Sequence, residues 1–222
     1  ELEKIDSLCR EKGMALIVDE VFSDFGAASG LDGVGSVLNR THALTFVLNG
    51  VSKMLGLPQM KLGWIVVTGD PQPGRAAAQE GLEALLDFYL PVASPVQLGL
   101  KRLLAGRSHI QEQIHGRLME NSRILAEQVG RTRNCRVLGR EGGWYAVIEI
   151  RDAVSDEDRV LCLLQEDNVL IHPGFFYDFK REGLVVLSLL PEPATFKLGL
   201  GKLLKHYGPP SGGEALHAPS VA

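Results

Sequence analysis

Cysteine is scarce in this chain, with three residues, Cys9, Cys135 and Cys162, among 222. Their odd number and wide separation give neither a disulfide framework nor a metal-binding spacing. The expectation is buried or idle thiols in a reducing cytosol, and no metal ligands. Long apolar runs are missing as well. A membrane span needs roughly 20 residues, whereas the longest run here, such as 184–190, is strand-sized. An excess of positive charge is also absent: 23 Lys and Arg against 27 Asp and Glu leave a net charge of -4, which argues against a dedicated nucleic-acid binder. No internal repeat is visible, and the Gly-rich stretch 26–35 does not match a phosphate-binding loop. No signal-peptide pattern opens the chain, so a cytoplasmic setting without membrane or nucleic-acid partners is expected. Position one is Glu, not Met. The chain enters a helical pattern at once and reads as a fragment of a longer protein.

What remains is an ordinary globular balance, with 45% hydrophobic and 23% charged residues, enough for one large domain or two small ones. Leu2, Ile5, Leu8 and Cys9 recur at helical spacing and Gly13 follows as a stop. The apolar run 14–18 then ends in Asp19 and Glu20, as a buried parallel strand would. Its acidic end would lie at the carboxyl edge of the sheet, where open α/β sheets bind ligands. Runs 43–48 and 63–68 predict two more strands, the first leading through an Asn49-Gly50 turn into Val51-Ser52-Lys53. Helical patterns cover about 75–90, 95–106 and 108–130, and Arg107, Arg117, Arg123, Arg131 and Arg133 read as a solvated helix face. Strands are expected over 144–150, 169–171 and 184–190, with a last helix over 193–206. Ser155-Asp156-Glu157-Asp158 resembles a capping box, opening a helix with Val160, Leu161 and Leu164 inward. From Gly208 onward no periodicity survives, and disorder is expected. The fold class is thus α/β: residues 1–106 as part of a large domain with a mostly parallel sheet, then a long helix and a small α/β domain over 107–207, then a tail over 208–222.

Two residues stand out chemically. A partly desolvated lysine loses its proton readily and can condense with an aldehyde cofactor; Lys53 sits just after a buried-strand candidate. An acidic strand end such as Asp19 can hold a pyridinium nitrogen protonated. Alone, Lys53 reads first as an exposed surface lysine, and Asp19 as a helix cap or solvated edge residue.

Taken together, the segments resemble the class I and II aminotransferases, pyridoxal-phosphate (PLP) enzymes of fold type I. Val18-Asp19-Glu20-Val21-Phe22 is similar to their strand-end motif. Asn49-Gly50-Val51-Ser52-Lys53, with Lys61-Leu62-Gly63-Trp64 behind it, is similar to their cofactor-lysine segment, and the 34-residue separation of Asp19 and Lys53 is also typical. Gly142-Gly143-Trp144-Tyr145, His172-Pro173-Gly174-Phe175-Phe176 and 184–190 follow the family's small-domain order, so the resemblance covers about residues 1–206. It implies an aminotransferase that moves an amino group from an amino donor to a 2-oxo acid, working as a homodimer with pyridoxal 5'-phosphate. Lys53 would be the catalytic residue, forming the Schiff base and shuttling a proton. Asp19 would pair with the pyridine nitrogen, while Ser52 and Lys61 would contact the phosphate.

Departures accompany the resemblance. Lys61 stands where the family usually has Arg, giving a point charge in place of a two-pronged grip. Phe22 replaces the Tyr whose phenol bonds the cofactor's ring oxygen. Val186 occupies the place of an Arg that clamps the substrate carboxylate, so amino-acid specificity does not follow automatically. Other outcomes therefore stay open: another fold-type-I PLP enzyme (decarboxylase, β-lyase or synthase), an aminotransferase-like ligand-sensing domain of a transcription regulator, or a truncated product without function. Full members of the family are nearly twice this length, so the 222 residues alone are expected to bind PLP weakly or not at all. His172 reads as an ordinary strand-end histidine. Of Trp144, Tyr145, Phe175, Phe176 and Tyr177, one or two would wall a substrate pocket and the rest would pack.

Overall fold

The computed structural model describes residues 1–26, 35–71 and 73–207. The expected disordered tail from Gly208, and most of the Gly-rich loop, lie outside the described residues. The chain forms two compact units, Glu1–Gln113 and Ile114–Ala222, so the division falls inside the long helix expected at 108–130.

In the first unit, α1 (Leu2–Lys12) ends at Gly13, whose φ of 62° lets its N–H turn back to the Arg10 and Cys9 carbonyls. Its buried face is not the apolar stripe alone: Ile5 and Leu8 are exposed, and Asp6 is buried with Cys9. Asp6 Oδ1 accepts the backbone N–H groups of His42 at 2.9 Å and Ala43 at 2.8 Å, and so anchors the chain just before the central strand. Replacing Asp6 by Ala leaves two backbone donors without their charged acceptor and is expected to cost about 2–4 kcal/mol. Urea unfolding followed by Trp64 fluorescence checks this; a loss under about 1 kcal/mol would mean that water takes over the bonds.

The first sheet has the order β1-β2-β3, made of Leu16–Asp19, Thr45–Gly50 and Gly63–Thr68. The α/β class is as expected, but this sheet is mixed, not mostly parallel: β1 and β2 are parallel, β2 and β3 antiparallel. The reason lies in the link between β2 and β3. Parallel neighbours need a crossover that carries the chain back to the starting edge. Here the short helix α2 (Val51–Met54) and a 3-10 turn (Pro58–Met60) reverse the chain beside the edge it has just left. Asn49 and Gly50 are accordingly the last residues of β2, not a turn, and Gly50 faces Gly63 across the ladder. A Cβ on Gly50 would lie 2.8 Å from the Leu62 carbonyl oxygen, so this close approach requires glycine. Helices α3 (Pro73–Leu86) and α4 (Ser94–Ala105) follow, and α5 (Arg107–Val129) runs on into the second unit.

The second unit is an antiparallel sheet of order β4-β5-β7-β6, formed by Cys135–Val137, Tyr145–Ile150, Leu184–Ser188 and the two-residue strand His172–Pro173 (β6). The strand expected at 169–171 thus forms just downstream. Helices α6 (Asp156–Asp167) and α7 (Pro193–Tyr207) accompany it. Ile148, Leu163, Val185 and Leu189 are fully buried.

Ser155 caps α6 as its sequence promised, accepting the Asp158 N–H at 3.1 Å. The inward face differs from the expectation, however. Leu161 and Leu164 are exposed, whereas Asp156, Arg159 and Leu163 are buried. Asp156 Oδ1 takes the N–H groups of Gly183 (2.8 Å) and Leu184 (3.1 Å), and Arg159 forks onto Asp152 through bonds of 3.0 and 2.6 Å. These polar contacts, invisible to hydrophobic periodicity, set the rotation of the helix. The arginines of α5 are not merely solvated either: Arg107 pairs with Asp24 at 2.5 Å, and Arg117 donates to the Leu190 carbonyl at 2.9 Å. Among the described residues, no helix is long and apolar enough to cross a membrane.

Candidate active site

The parallel pairing of β1 and β2 places Asp19 opposite Leu48, two residues before β2 ends. Both strands therefore reach the same carboxyl edge, and the chain leaving each one builds the site. After β1, residues 20–25 form a tight turn closed by bonds from Ser23 N–H to Glu20 O and from Phe25 N–H to Phe22 O. After β2 comes α2. Its residues Val51 and Met54, with Leu55, are buried in a cluster completed by Leu62. Helical spacing then leaves Ser52 and Lys53 half-buried on the other side of that turn.

Several partly buried contacts hold these two segments in register. Asn49 Nδ2 donates to the Glu20 carbonyl at 3.2 Å, while its Oδ1 accepts the Gly50 N–H at 2.7 Å. Glu20 is itself buried, and its Oε1 accepts the Val37 N–H at 2.7 Å. Asp24 is gripped by Arg107 and, at 2.8 Å, by Gln111, which also donates to the Met54 carbonyl. Sequence reasoning missed all four positioning residues, Asn49, Glu20, Asp24 and Gln111. Only the adjacency of Asn49 and Glu20 to the two motifs hinted at them; the contacts of Arg107 and Gln111 with Asp24 span more than 80 residues.

As a result, the Lys53 ammonium sits over the Phe22 ring, 5.6 Å from its centroid, within cation–π range. Asp19, Phe22 and Ser23 line a cleft of about 510 Å³, whose walls also include Val18, Gly35 and Val37. Asp19 is exposed. Its Oδ1 accepts the Val21 N–H at 3.0 Å, and its Oδ2 accepts no hydrogen bond among the described residues. That carboxylate is held by one oxygen and can offer the other to a proton-bearing nitrogen. The structure therefore brings Lys53 beside Phe22, and Phe22 beside Asp19. Ser52 is adjacent to Lys53 in the same turn. Lys61 is exposed and holds a left-handed backbone, φ 51°, as it closes the 3-10 turn. It does not line the cleft.

In the second unit, Val186 is 4% exposed and registered between Val147 of β5 and His172 of β6. His172 Nδ1 lies 2.8 Å from the Tyr177 hydroxyl, and its ring packs near Phe176 and Tyr177. Local desolvation of the hydroxyl, together with the neighbouring Tyr145, pushes the Tyr177 phenol up. Trp144 is buried, whereas Tyr145, Phe175, Phe176 and Tyr177 are exposed.

The chain as a whole has counterparts among known proteins. The alanine aminotransferase of Mycobacterium tuberculosis is 25% identical over 198 residues, 86% of this chain and 45% of the relative. The glutamate-pyruvate aminotransferase AlaA of Haemophilus influenzae is 26% identical over 210 residues, 92% of this chain and 52% of the relative. Among solved structures, a PLP-dependent aminotransferase from Streptococcus suis superposes with a TM-score of 0.75 at 25% identity, covering 94% of this chain and 53% of that one. The chain spans about half the length of the relatives it matches. The family model described as aminotransferase class I and II matches residues 1–189, and the cofactor of that family is pyridoxal 5'-phosphate. With the model covering most of the chain, this protein belongs to the class I and II aminotransferases.

Proposed function

We propose that this protein is a transaminase in which Lys53 is the residue that holds PLP and moves the proton. The observation that carries the reading is the seating of the Lys53 ammonium against Phe22 at the sheet edge where Asp19 ends the neighbouring parallel strand. The donor set suits the cofactor: a half-buried primary amine, a carboxylate with one oxygen available, a hydroxyl at Ser52 and an exposed cation at Lys61. Bound PLP supplies an aldehyde that condenses with amines and a ring that accepts the electron pair left when a bond to the substrate α-carbon breaks.

The chain's own residues would then divide the work. Lys53 Nζ takes the proton from the α-carbon and returns it one position along, as general base and then general acid. Asp19 keeps a proton on the ring nitrogen. Ser52 donates to the phosphate, and Lys61 contributes charge without a fork. Phe22 excludes water beside the amine and, having no hydroxyl, gives no hydrogen bond there. A homodimer belongs to the same proposal. Leu85, Leu86, Phe88, Tyr89 and Leu90, each between 57% and 97% exposed, are apolar surface of the kind that association removes from water.

The substrates proposed are an amino donor and a 2-oxo acid, and the two relatives make alanine, glutamate and pyruvate the first to try. When the PLP-loaded protein is mixed with the donor alone, one pyridoxamine phosphate per site is expected, and adding the oxo acid should restore PLP. A second reading rests on Val186. Val186 stands where the family resemblance puts a carboxylate-binding arginine, and a valine offers no charge to a carboxylate, so cleavage of the α-carbon bond to the carboxylate is the alternative. Carbon dioxide release without pyridoxamine phosphate would select that reading and discard transamination.

A further inference from the structure

The second unit holds a side-chain cluster that the proposed reaction does not use. Cys162 and Glu166 lie four residues apart on α6, which places them one turn apart on a single face. His206, in the last turn of α7, meets that face. The Cys162 sulfur, a Glu166 carboxylate oxygen and one ring nitrogen of His206 all lie within 4.8 Å of one another. We propose that these three residues form a binding site for a divalent cation of borderline softness, Zn²⁺ above all.

Ligand chemistry selects the cation. A thiolate, an imidazole and a carboxylate together suit Zn²⁺, while Ca²⁺ and Mg²⁺ prefer oxygen alone. Binding removes the Cys162 thiol proton to solvent, leaving S⁻ on the metal. Tetrahedral bonds of the usual length put neighbouring ligand atoms about 3.5 Å apart, so the cluster closes by about 1 Å. Glu166 is exposed and its side chain can make that adjustment.

The surroundings match what metal-bound histidines usually have. His206 Nε2 is bonded to Asp167 Oδ2 at 2.7 Å; with that bond kept, Nδ1 is the nitrogen left for the cation, and Asp167 fixes the ring from behind. Lys202 approaches Asp167, donating to its carbonyl at 2.6 Å. Glu166 and Asp167 against Lys202 leave a local charge of the sign that attracts a dication. Three protein ligands leave a fourth position for water, and the bound ion would tie α6 to the end of α7.

Titration of the full 222-residue chain with Co²⁺ tests the site. One equivalent is expected to give a thiolate-to-cobalt charge-transfer band that Zn²⁺ displaces. Cys162→Ser should abolish the band while Cys9→Ser leaves it intact. Glu166→Ala, at an exposed position where the fold is indifferent, should weaken Co²⁺ binding at least about 10-fold, and Asp167→Asn by about 10–100-fold. No band, a band that survives Cys162→Ser, or unchanged affinity in Glu166→Ala would each overturn the assignment and leave His206 and Asp167 as a plain hydrogen-bonded pair.

Discussion

Replacing Lys53 by Ala is expected to lower transamination by roughly 10²–10⁴-fold, the usual contribution of a positioned acid–base group. Stability should stay within about 0.5 kcal/mol, since α2 is held by Val51, Met54 and Leu55 and not by the lysine. Lys53→Arg is the informative companion. It keeps a cation beside the Phe22 ring, 5.6 Å away in the native protein, but a guanidinium does not give up its proton and cannot serve as base. Both variants should therefore be inactive although only one loses the charge. Borohydride treatment in the presence of PLP adds a chemical readout, because it fixes the cofactor to whichever lysine it has condensed with. With PLP in large excess, to offset weak binding, peptide mapping should find the label on Lys53 in the native chain. A label on Lys61, or Lys53→Ala activity above about a tenth of native, would remove Lys53 from the mechanism.

A large effect on stability is expected at Asp152. Arg159 has no exposed side-chain surface, and Asp152 is 25% exposed. Two hydrogen bonds join them, Arg159 also donates to the Val154 carbonyl at 3.0 Å, and its guanidinium lies 4.4 Å from the centre of the Tyr207 ring. Asp152→Ala strands a buried cation, and breaking such pairs typically costs about 3–5 kcal/mol; the partial exposure of Asp152 places this one near the lower figure. Hydrogen exchange of the β5 and β7 amides would report it without interference from the first unit. Adding Arg159→Met should recover most of the loss, since an apolar replacement needs no partner. If the double variant is no more stable than Asp152→Ala, the damage comes from packing and not from the unpaired charge.

The same pair predicts a pH dependence. Burial alone would raise the Asp152 pKa, but the bonds from Arg159 and the Val154 N–H, together with the guanidinium charge, outweigh it and hold the carboxyl below its ordinary value. A carboxyl depressed in the folded state contributes stability above its unfolded pKa, about 3.9, and loses that contribution as pH falls through the depressed value. The second unit should therefore weaken below about pH 4. Asp152→Ala should lack this part of the acid slope.

By itself, the sequence determined the order of the elements and the two chemical motifs. Apolar runs and glycine stops are local signals, so 63–68 emerged as a strand with its observed bounds, and Asp19 and Lys53 could be placed at two strand ends before any contact was known. Direction and rotation were decided only in three dimensions. Whether β3 returns antiparallel depends on how α2 and the 3-10 turn fold back against Leu62. Which face of α6 turns inward depends on backbone donors at Gly183 and Leu184 that lie 27 and 28 residues away. The grip of Arg107 and Gln111 on Asp24 and the meeting of His206 with Cys162 belong to the same class. Periodicity records where apolar surface must be buried, but a buried charge is placed by its partner, and that partner is fixed by the tertiary fold and not by the neighbouring sequence.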